Sequence, residues 1–267
     1  MSSKGIFSAV SGAMAQSSRL DTIANNLANV NTTGFKKDRQ IFSEYLSTYE
    51  RPDVMINVPR VPASIESFYD MQGGDNAYVN PAGTYTQFTQ GAMRATGSPL
   101  DLAIEGRGFF EVLSPQGLRF TRSGTFQIDG DGRLVTKDGY PVLRQGQGDP
   151  AQRMIQLSSH NMTVSQNGEI FDGGNSLGQI AVSDFAILDD LQKVGNSLYA
   201  LKGNARSAPV GTQDFRLQQG FIEGSNVNVV EEMTDMIAAN RVFEAAQKAV
   251  KAHDEMDDKL INQVGKV

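Results

Sequence analysis

Apolar side chains recur near both ends of the chain at alternating spacings of four and three. Ile6, Val10, Ala13, Leu20, Ala24 and Leu27 follow this rhythm, with Ser17 as a polar member. It is the rhythm of the inward seam of a coiled-coil helix. A similar stripe returns through Met233, Met236, Phe243, Ala246, Val250 and Leu260, inside a stretch from Val227 to Val264 that holds no Gly and no Pro. Neither stripe is stable facing water alone. The two are expected to pack on each other or on the same stripes of neighbouring copies.

The first helix is expected to start near Ser2 or Ser3 and to stop at Asn31-Thr32-Thr33-Gly34-Phe35. Gly34 there suits the left-handed position that follows a helix end. Asn25, Asn26, Asn29 and Asn31 crowd its last turns. Each costs a helix about 0.6 kcal/mol relative to Ala, so their expected role is to hydrogen-bond across helices and fix register. The second helix opens at Asn226-Val227-Asn228, and Asn228 with Glu231 forms a capping-box pattern. At 1.5 Å per residue it spans roughly 50 Å, so its stripe needs another long helix as partner.

Between the helices the pattern changes twice. Phe42, Tyr45, Leu46 and Tyr49 suggest a short helical continuation. Pro52, Pro59, Pro62, Gly73, Gly74, Pro81 and Gly83 then break any regular period, which reads as an extended connector. From Leu100 short apolar runs alternate with Gly/Asp turns: 109–113, 118–122, 125–128, 133–136, 140–143, 154–157, 162–165, 169–171, 179–185, 215–217 and 221–223. That spacing predicts an antiparallel sandwich or barrel-like domain. The expected fold is therefore α+β with a mainly β middle, the terminal helices forming an antiparallel coiled-coil pair. Four segments are expected: 1–35 helix, 36–99 connector, 100–224 β-rich domain and 225–267 helix.

Composition narrows the function classes. The chain has 267 residues, a net charge of −6, and no Cys. Thiolate chemistry, zinc–thiolate sites and disulfides are excluded. Lys36, Lys37 and Arg39 form the largest basic cluster, too small for a nucleic-acid face, and are expected to complement the carbonyl end of the first helix. The N-terminus lacks the apolar run of a cleaved secretory signal. Asp129-Gly130-Asp131-Gly132 lacks the third ligand and the distal Glu of a calcium loop and reads as a hairpin turn. Gly106-Arg107-Gly108 lacks the third glycine of a dinucleotide fingerprint. His160 and His253 have no metal-ligand partner nearby in sequence, and sugar-binding platforms are unsupported in a chain without Trp. Catalytic, cofactor and metal residues are accordingly expected to be none. The residues expected at an assembly interface are Ile6, Val10, Ala13, Leu20, Ala24, Asn25, Asn26, Leu27, Asn29, Asn226, Asn228, Met233, Met236, Ile237, Phe243, Val250 and Leu260. A non-polymerising adaptor or adhesin, and a β-domain hydrolase with dispensable ends, remain alternatives.

Three separated motifs add a resemblance. Ser11-Gly12-Ala13-Met14 with Leu20 to Lys36 (LDTIANNLANVNTTGFK) resembles the N-terminal signature of bacterial flagellar rod and hook proteins. Gln90-Gly91, Thr96 to Ile104, Gly106 to Phe110 and Phe120-Thr121-Arg122 resemble the entry to their β domain. Gln219 to Asn228 (QGFIEGSNVN), with Glu232-Met233 and Met236-Ile237, resembles their C-terminal signature. Within the family, Lys4 to Ala13 followed by Leu20-Asp21 is more similar to the proximal-rod type than to the distal-rod type. The resemblance implies a non-enzymatic subunit of the periplasmic rod of the basal body, exported without a cleaved signal peptide. Its partners would be other copies of itself, other rod proteins and the flagellar type III export apparatus, with no nucleic acid and no small-molecule substrate.

Overall fold

The computed structural model describes residues 4–47, 76–157, 162–206, 208–212 and 214–264. Helix α1 covers Lys4–Ala28 and helix α2 covers Val229–Val264. The strands follow in chain order: β1 Asp38–Ser47, β2 Asn76–Thr86, β3 Met93–Ala95, β4 Leu102–Gly106, β5 Phe109–Ser114, β6 Gly117–Thr121, β7 Phe126–Ile128, β8 Leu134–Thr136, β9 Met162–Val164, β10 Glu169–Asp172, β11 Asn175–Gln179, β12 Val182–Asp184, β13 Leu191–Gly195, β14 Leu198–Leu201, β15 Val210–Gly211, β16 Phe215–Gln219 and β17 Phe221–Glu223. The class is α+β.

The chain divides into two compact units. One comprises Met1–Asn25, Arg39–Tyr85 and Val230–Val267; the other comprises Asn26–Asp38 and Thr86–Val229. In the first unit β1 pairs with β2, and Gln40 Nε2 donates to Ser18 Oγ at 2.7 Å. The helical continuation expected over 42–49 is a strand across its described part. An apolar run this short fits either period, and Ile41, Phe42 and Tyr45 are better strand formers than helix formers. Tyr49 and the proline-rich part of the expected connector, 48–75, lie outside the described residues, as does His160.

The second unit is built on a six-stranded sheet ordered β13-β14-β6-β5-β12-β15. Its two outer strands do not meet, so among the described residues no closed barrel forms, in contrast to the barrel-like alternative. Alternation along β5 sends Phe110 and Val112 to one face and Phe109 to the other. Phe110 and Val112 join an aliphatic core with Leu102, Ile104, Leu134, Val142 and Ile170. Phe109 joins an aromatic cluster with Phe120, Phe185, Leu191 and Tyr199. Both faces of the sheet are therefore buried. Smaller ladders close the unit: β16 pairs antiparallel with β4 from Phe215↔Gly106 to Gln219↔Leu102, and β17 with β3 from Phe221↔Ala95 to Glu223↔Met93. The late strands thus pair with the early ones.

The turn at 129–132 is a hairpin turn between β7 and β8. Asp129 Oδ1 accepts from the backbone N–H groups of Asp131 at 2.9 Å and Arg133 at 2.8 Å. Segments 140–143 and 154–157, expected as strands, make single bridges only, through Pro141, Val142, Leu143, Met154 and Gln156. Pro141 has no N–H to extend a ladder. The β13–β14 hairpin was not foreseen. Its turn residues Asn196 and Ser197 have φ of 49° and 55°, the left-handed pair of a tight two-residue hairpin.

Phe110 is 0% exposed, whereas Val210 on the edge strand is 63% exposed. Phe110→Ala is expected to lower unfolding free energy by about 3–5 kcal/mol. Val210→Ala is expected to stay within about 0.5 kcal/mol. Denaturant unfolding of the two variants measures both.

Candidate functional site: a buried ionic joint and two exposed helical stripes

Helix α1 ends at Ala28, earlier than the Gly34 stop expected from sequence. The residues after it belong to the second unit. Asn26 is 2% exposed and clamps the start of β1: its Oδ1 accepts from Asp38 N–H and its Nδ2 donates to Asp38 O, both at 2.9 Å. Thr33 Oγ1 meets Ser123 Oγ at 3.0 Å. Gly34 does have positive φ, +67°, but for a different reason than helix capping. Its N–H donates to Glu223 O at 2.8 Å, and a Cβ there would lie 2.4 Å from Ser123 N. Only glycine permits both the angle and the approach.

This loop delivers Lys36 into the interior. Its Nζ bonds to Glu223 Oε1 and donates to Thr89 O at 2.8 Å, with the ion pair fully buried. Lys36 lies eight residues beyond the end of α1, so the helix-dipole role expected for the basic cluster does not apply to it. The same Oε1 accepts from Gly91 N–H at 2.9 Å. Glu223 Oε2 faces Arg122 Nη1 at 3.5 Å. Arg122 in turn donates to Ile104 O at 3.2 Å and Gly106 O at 2.6 Å, and its guanidinium carbon stands 5.3 Å from the centre of the Phe109 ring. Four stretches distant in sequence meet on one carboxylate. Gly91 is required by contact: a Cβ would sit 2.1 Å from Gly224 O.

Two further links frame the joint. Asn226 Oδ1 accepts from Lys37 N–H at 2.7 Å, and its Nδ2 donates to Gln87 O at 2.8 Å and to Thr89 Oγ1 at 2.9 Å. The register of β13 and β14 shifts between Lys193 and Gly195. Such a bulge re-aims a side chain. Lys193 bonds Lys36 O, pairs with Asp38 Oδ2 at 2.8 Å and lies 4.2 Å from the centre of the Phe35 ring.

Burial sets the electrostatics here. It holds the Lys36 ammonium below its ordinary 10.5, and Glu223 opposes this. It likewise lowers Arg122, with Glu223 again opposing, and Lys193, with Asp38 opposing. Burial pushes the Tyr199 phenol well above its ordinary 10.0, helped by the negative charges of Asp38 and Glu223.

The two helices carry apolar residues that the single chain leaves in water. On α1 they are Phe7, Val10 and Met14 at 59%, 37% and 66% exposure; on α2 they are Val230, Met233 and Ile237 at 71%, 49% and 55%. Each trio is spaced three then four, one face of a helix. A different seam of α2 is better covered: Glu232, Met236, Ala239, Phe243, Ala246, Val250 and His253 are buried or half-buried. On α1 the buried positions are Ala15, Ile23 and Asn26. Of the residues expected at an interface, Val10, Ala24, Asn25, Asn228, Met233 and Ile237 are exposed. Ala13, Leu20, Leu27, Asn29, Met236, Phe243 and Val250 are half-buried. Ile6 and Leu260 have helical backbone, and their side chains lie outside the described residues. Asn26 and Asn226 make the amide bonds given above inside the chain. Sequence reasoning did not single out Phe7, Val230, Lys193, Tyr199 or the Lys36–Glu223 pairing. A lysine in a loop otherwise rich in Asn and Thr was the available signal for that pairing.

Glu223→Gln keeps the shape and removes the charge, leaving two buried cations without an anion. It is expected to destabilise the chain by about 3–5 kcal/mol. Adding Lys36→Met should recover part of that loss, read by a double-mutant cycle in denaturant. Alkaline titration tests the phenol. Above pH 10.0 the unfolded chain releases the Tyr199 proton while the folded chain keeps it, so stability falls as pH rises. Lys36 acts oppositely, because the folded chain gives up its proton first; its contribution rises with pH and levels off above 10.5. Beyond that point Tyr199→Phe is expected to flatten the decline, measured by unfolding free energy against pH.

Three family models match the chain in order. They are "Flagella basal body rod protein" at residues 6–36, "Flagellar hook protein FlgE/F/G D1 domain" at 103–171 and "Flagellar basal body rod FlgEFG protein C-terminal" at 218–263. The flagellar basal-body rod protein FlgG of Bacillus subtilis (strain 168) is 34% identical over 271 residues, covering 97% of this chain and 98% of that protein. FlgG of Borreliella burgdorferi is 36% identical over 265 residues, covering 95% and 96%. FlgF of Caulobacter vibrioides is 34% identical over 250 residues, covering 93% and 92%. The joint itself draws on the first and last matched segments, through Lys36 and Glu223. With this identity sustained along nearly its whole length, the chain belongs to the flagellar basal-body rod protein family, structural subunits of the flagellar basal body.

Proposed function

We propose that this rod subunit polymerises through its terminal helices, which pair antiparallel as a coiled coil and interlock with those of other copies and of other rod proteins. The observation that carries the reading is the pair of exposed apolar trios, Phe7-Val10-Met14 and Val230-Met233-Ile237. Fully burying a large apolar side chain contributes about 1.5–3 kcal/mol; these six are 37–71% exposed, so completing their burial contributes roughly 5–10 kcal/mol. That is comparable to the cost of association, about 4–15 kcal/mol, and more contacts along the helices tip the balance. Contact between unlike surfaces without rotational closure extends as a filament. The residues proposed for this contact are those expected from sequence, joined by Phe7, Met14 and Val230; Asn26 and Asn226 act instead by holding the loops on which the helices end and begin. Segments 1–35, 36–99, 100–224 and 225–267 are proposed as the functional divisions.

The resemblance to rod proteins supports a subunit that reaches the periplasm through the flagellar export apparatus and transmits torque there. The opening residues Lys4 to Ala13 support the proximal-rod type. Relatives named FlgG match at 34% and 36% identity and one named FlgF at 34%, so the order of crosslinked neighbours in purified basal bodies decides the rod segment. Ile237→Asp tests the assembly face. It should abolish swimming while leaving the denaturant midpoint of the β-rich unit unchanged, because Ile237 is 55% exposed in the single chain. Normal motility in this variant would refute polymerisation through that face.

A further inference from the structure

We propose that internal water bridges the Tyr199 hydroxyl to the Arg122–Glu223 pair, so that the joint is a hydrated hydrogen-bonding site and not a dry salt bridge. Three polar atoms in this region are fully buried and have no hydrogen-bond partner: Tyr199 Oη, Arg122 Nε and Glu223 Oε2. The residues that carry them are 0%, 5% and 1% exposed. Buried polar atoms are almost always paired, with protein or with ordered water. The side chains that carry the three atoms are neighbours. Glu223 Oε2 stands 3.5 Å from Arg122 Nη1, the Arg122 guanidinium carbon 5.3 Å from the Phe109 ring centre, and the Phe109 and Tyr199 ring centres 5.6 Å apart. Tyr199 also feels the charges of both Glu223 and Arg122.

The chemistry of the three atoms selects the occupant. Tyr199 Oη–H and Arg122 Nε–H are donors, and Glu223 Oε2 is an acceptor. An anion would take the two donors but be repelled by the carboxylate. A metal cation would take the carboxylate but face Arg122 and Lys36. Water accepts from the donors and donates to the carboxylate, and three such atoms match the roughly two to four polar partners that a buried water needs. The hydroxyl of Tyr199 thereby gains a function that Phe109, Phe120 and Phe185 in the same aromatic cluster cannot supply. This inference rests on the joint alone and does not depend on how the subunit assembles.

A high-resolution density map of the full chain, grown in bromide, tests it. The expected result is a water without anomalous signal, within hydrogen-bond reach of both Tyr199 Oη and Glu223 Oε2 or linked to them through one further water. In solution the Tyr199 hydroxyl proton should show a nuclear Overhauser contact to long-lived water, and Tyr199→Phe, which identifies the signal, should remove it. An anomalous peak at the site, a protein acceptor on Tyr199 Oη, or no density between these atoms would each overturn the proposal. The map of the unsubstituted chain decides the matter even if Tyr199→Phe does not fold.

Discussion

A single buried carboxylate fixes where four stretches of the second unit meet. Glu223 is almost fully buried, and two cations, Lys36 and Arg122, are buried with it. Taking such charges out of water is costly, and attraction offsets that cost only where geometry is good and the remaining valences are filled. Gly91 N–H, Thr89 O, Ile104 O and Gly106 O supply most of those valences, leaving Arg122 Nε and Glu223 Oε2. The arrangement therefore demands that four stretches of chain arrive together. A hydrophobic cluster could be as stable. It would not force the loop after α1 and the strand before α2 to the same few ångströms, because apolar contacts have no direction.

The sequence made the α+β class legible because its two periods are unambiguous. A stretch from Val227 to Val264 without Gly or Pro can hardly be other than a long helix, and α2 occupies Val229–Val264. Strand 221–223 and the hairpin around Asp129-Gly130 were equally plain, since turn chemistry is local. The failures have two causes. Strand β1 and the bridge from Val142 to Val112 depend on partners outside any local window, whereas the β13–β14 hairpin is local but turns on Asn196-Ser197, without the Gly that usually marks such a turn. The early end of α1 is the instructive case. Asn25, Asn26, Asn29 and Asn31 weaken the helix locally, yet where it stops is set by Asn26 reaching Asp38. The ionic joint was invisible for the same reason: 187 residues separate Lys36 from Glu223.

The motifs that carry the family resemblance now have physical content. Gly34, Lys36, Gly91, Arg122, Glu223, Gly224 and Asn226 all lie in or against the joint. The glycines let backbones approach closer than a methyl group allows, and the charged residues neutralise one another. The exposed helical trios are a separate matter. They follow no rare residue type, only a spacing, and their exposure in the single chain is what sets them apart from the half-buried seam through Met236, Phe243 and Val250. Two kinds of information are thus written side by side: residue identity for the joint, periodicity for the surface.

The choice of asparagine at 26 and 226 follows from the same logic. A strand neighbour offers one acceptor and one donor, spaced to meet a backbone N–H and C=O. The carboxamide of Asn26 offers the same pair to Asp38, and that of Asn226 meets Lys37 N–H and Gln87 O. Each amide imitates one residue of strand and then ends, which lets the chain pass between sheet and helix without leaving backbone groups unpaired. Aspartate could accept but not donate, and it would bring another negative charge beside a joint whose charges already lie close together. Serine would be too short to serve both groups. The neutral, two-sided amide is the side chain that closes a ladder where a helix must begin or end.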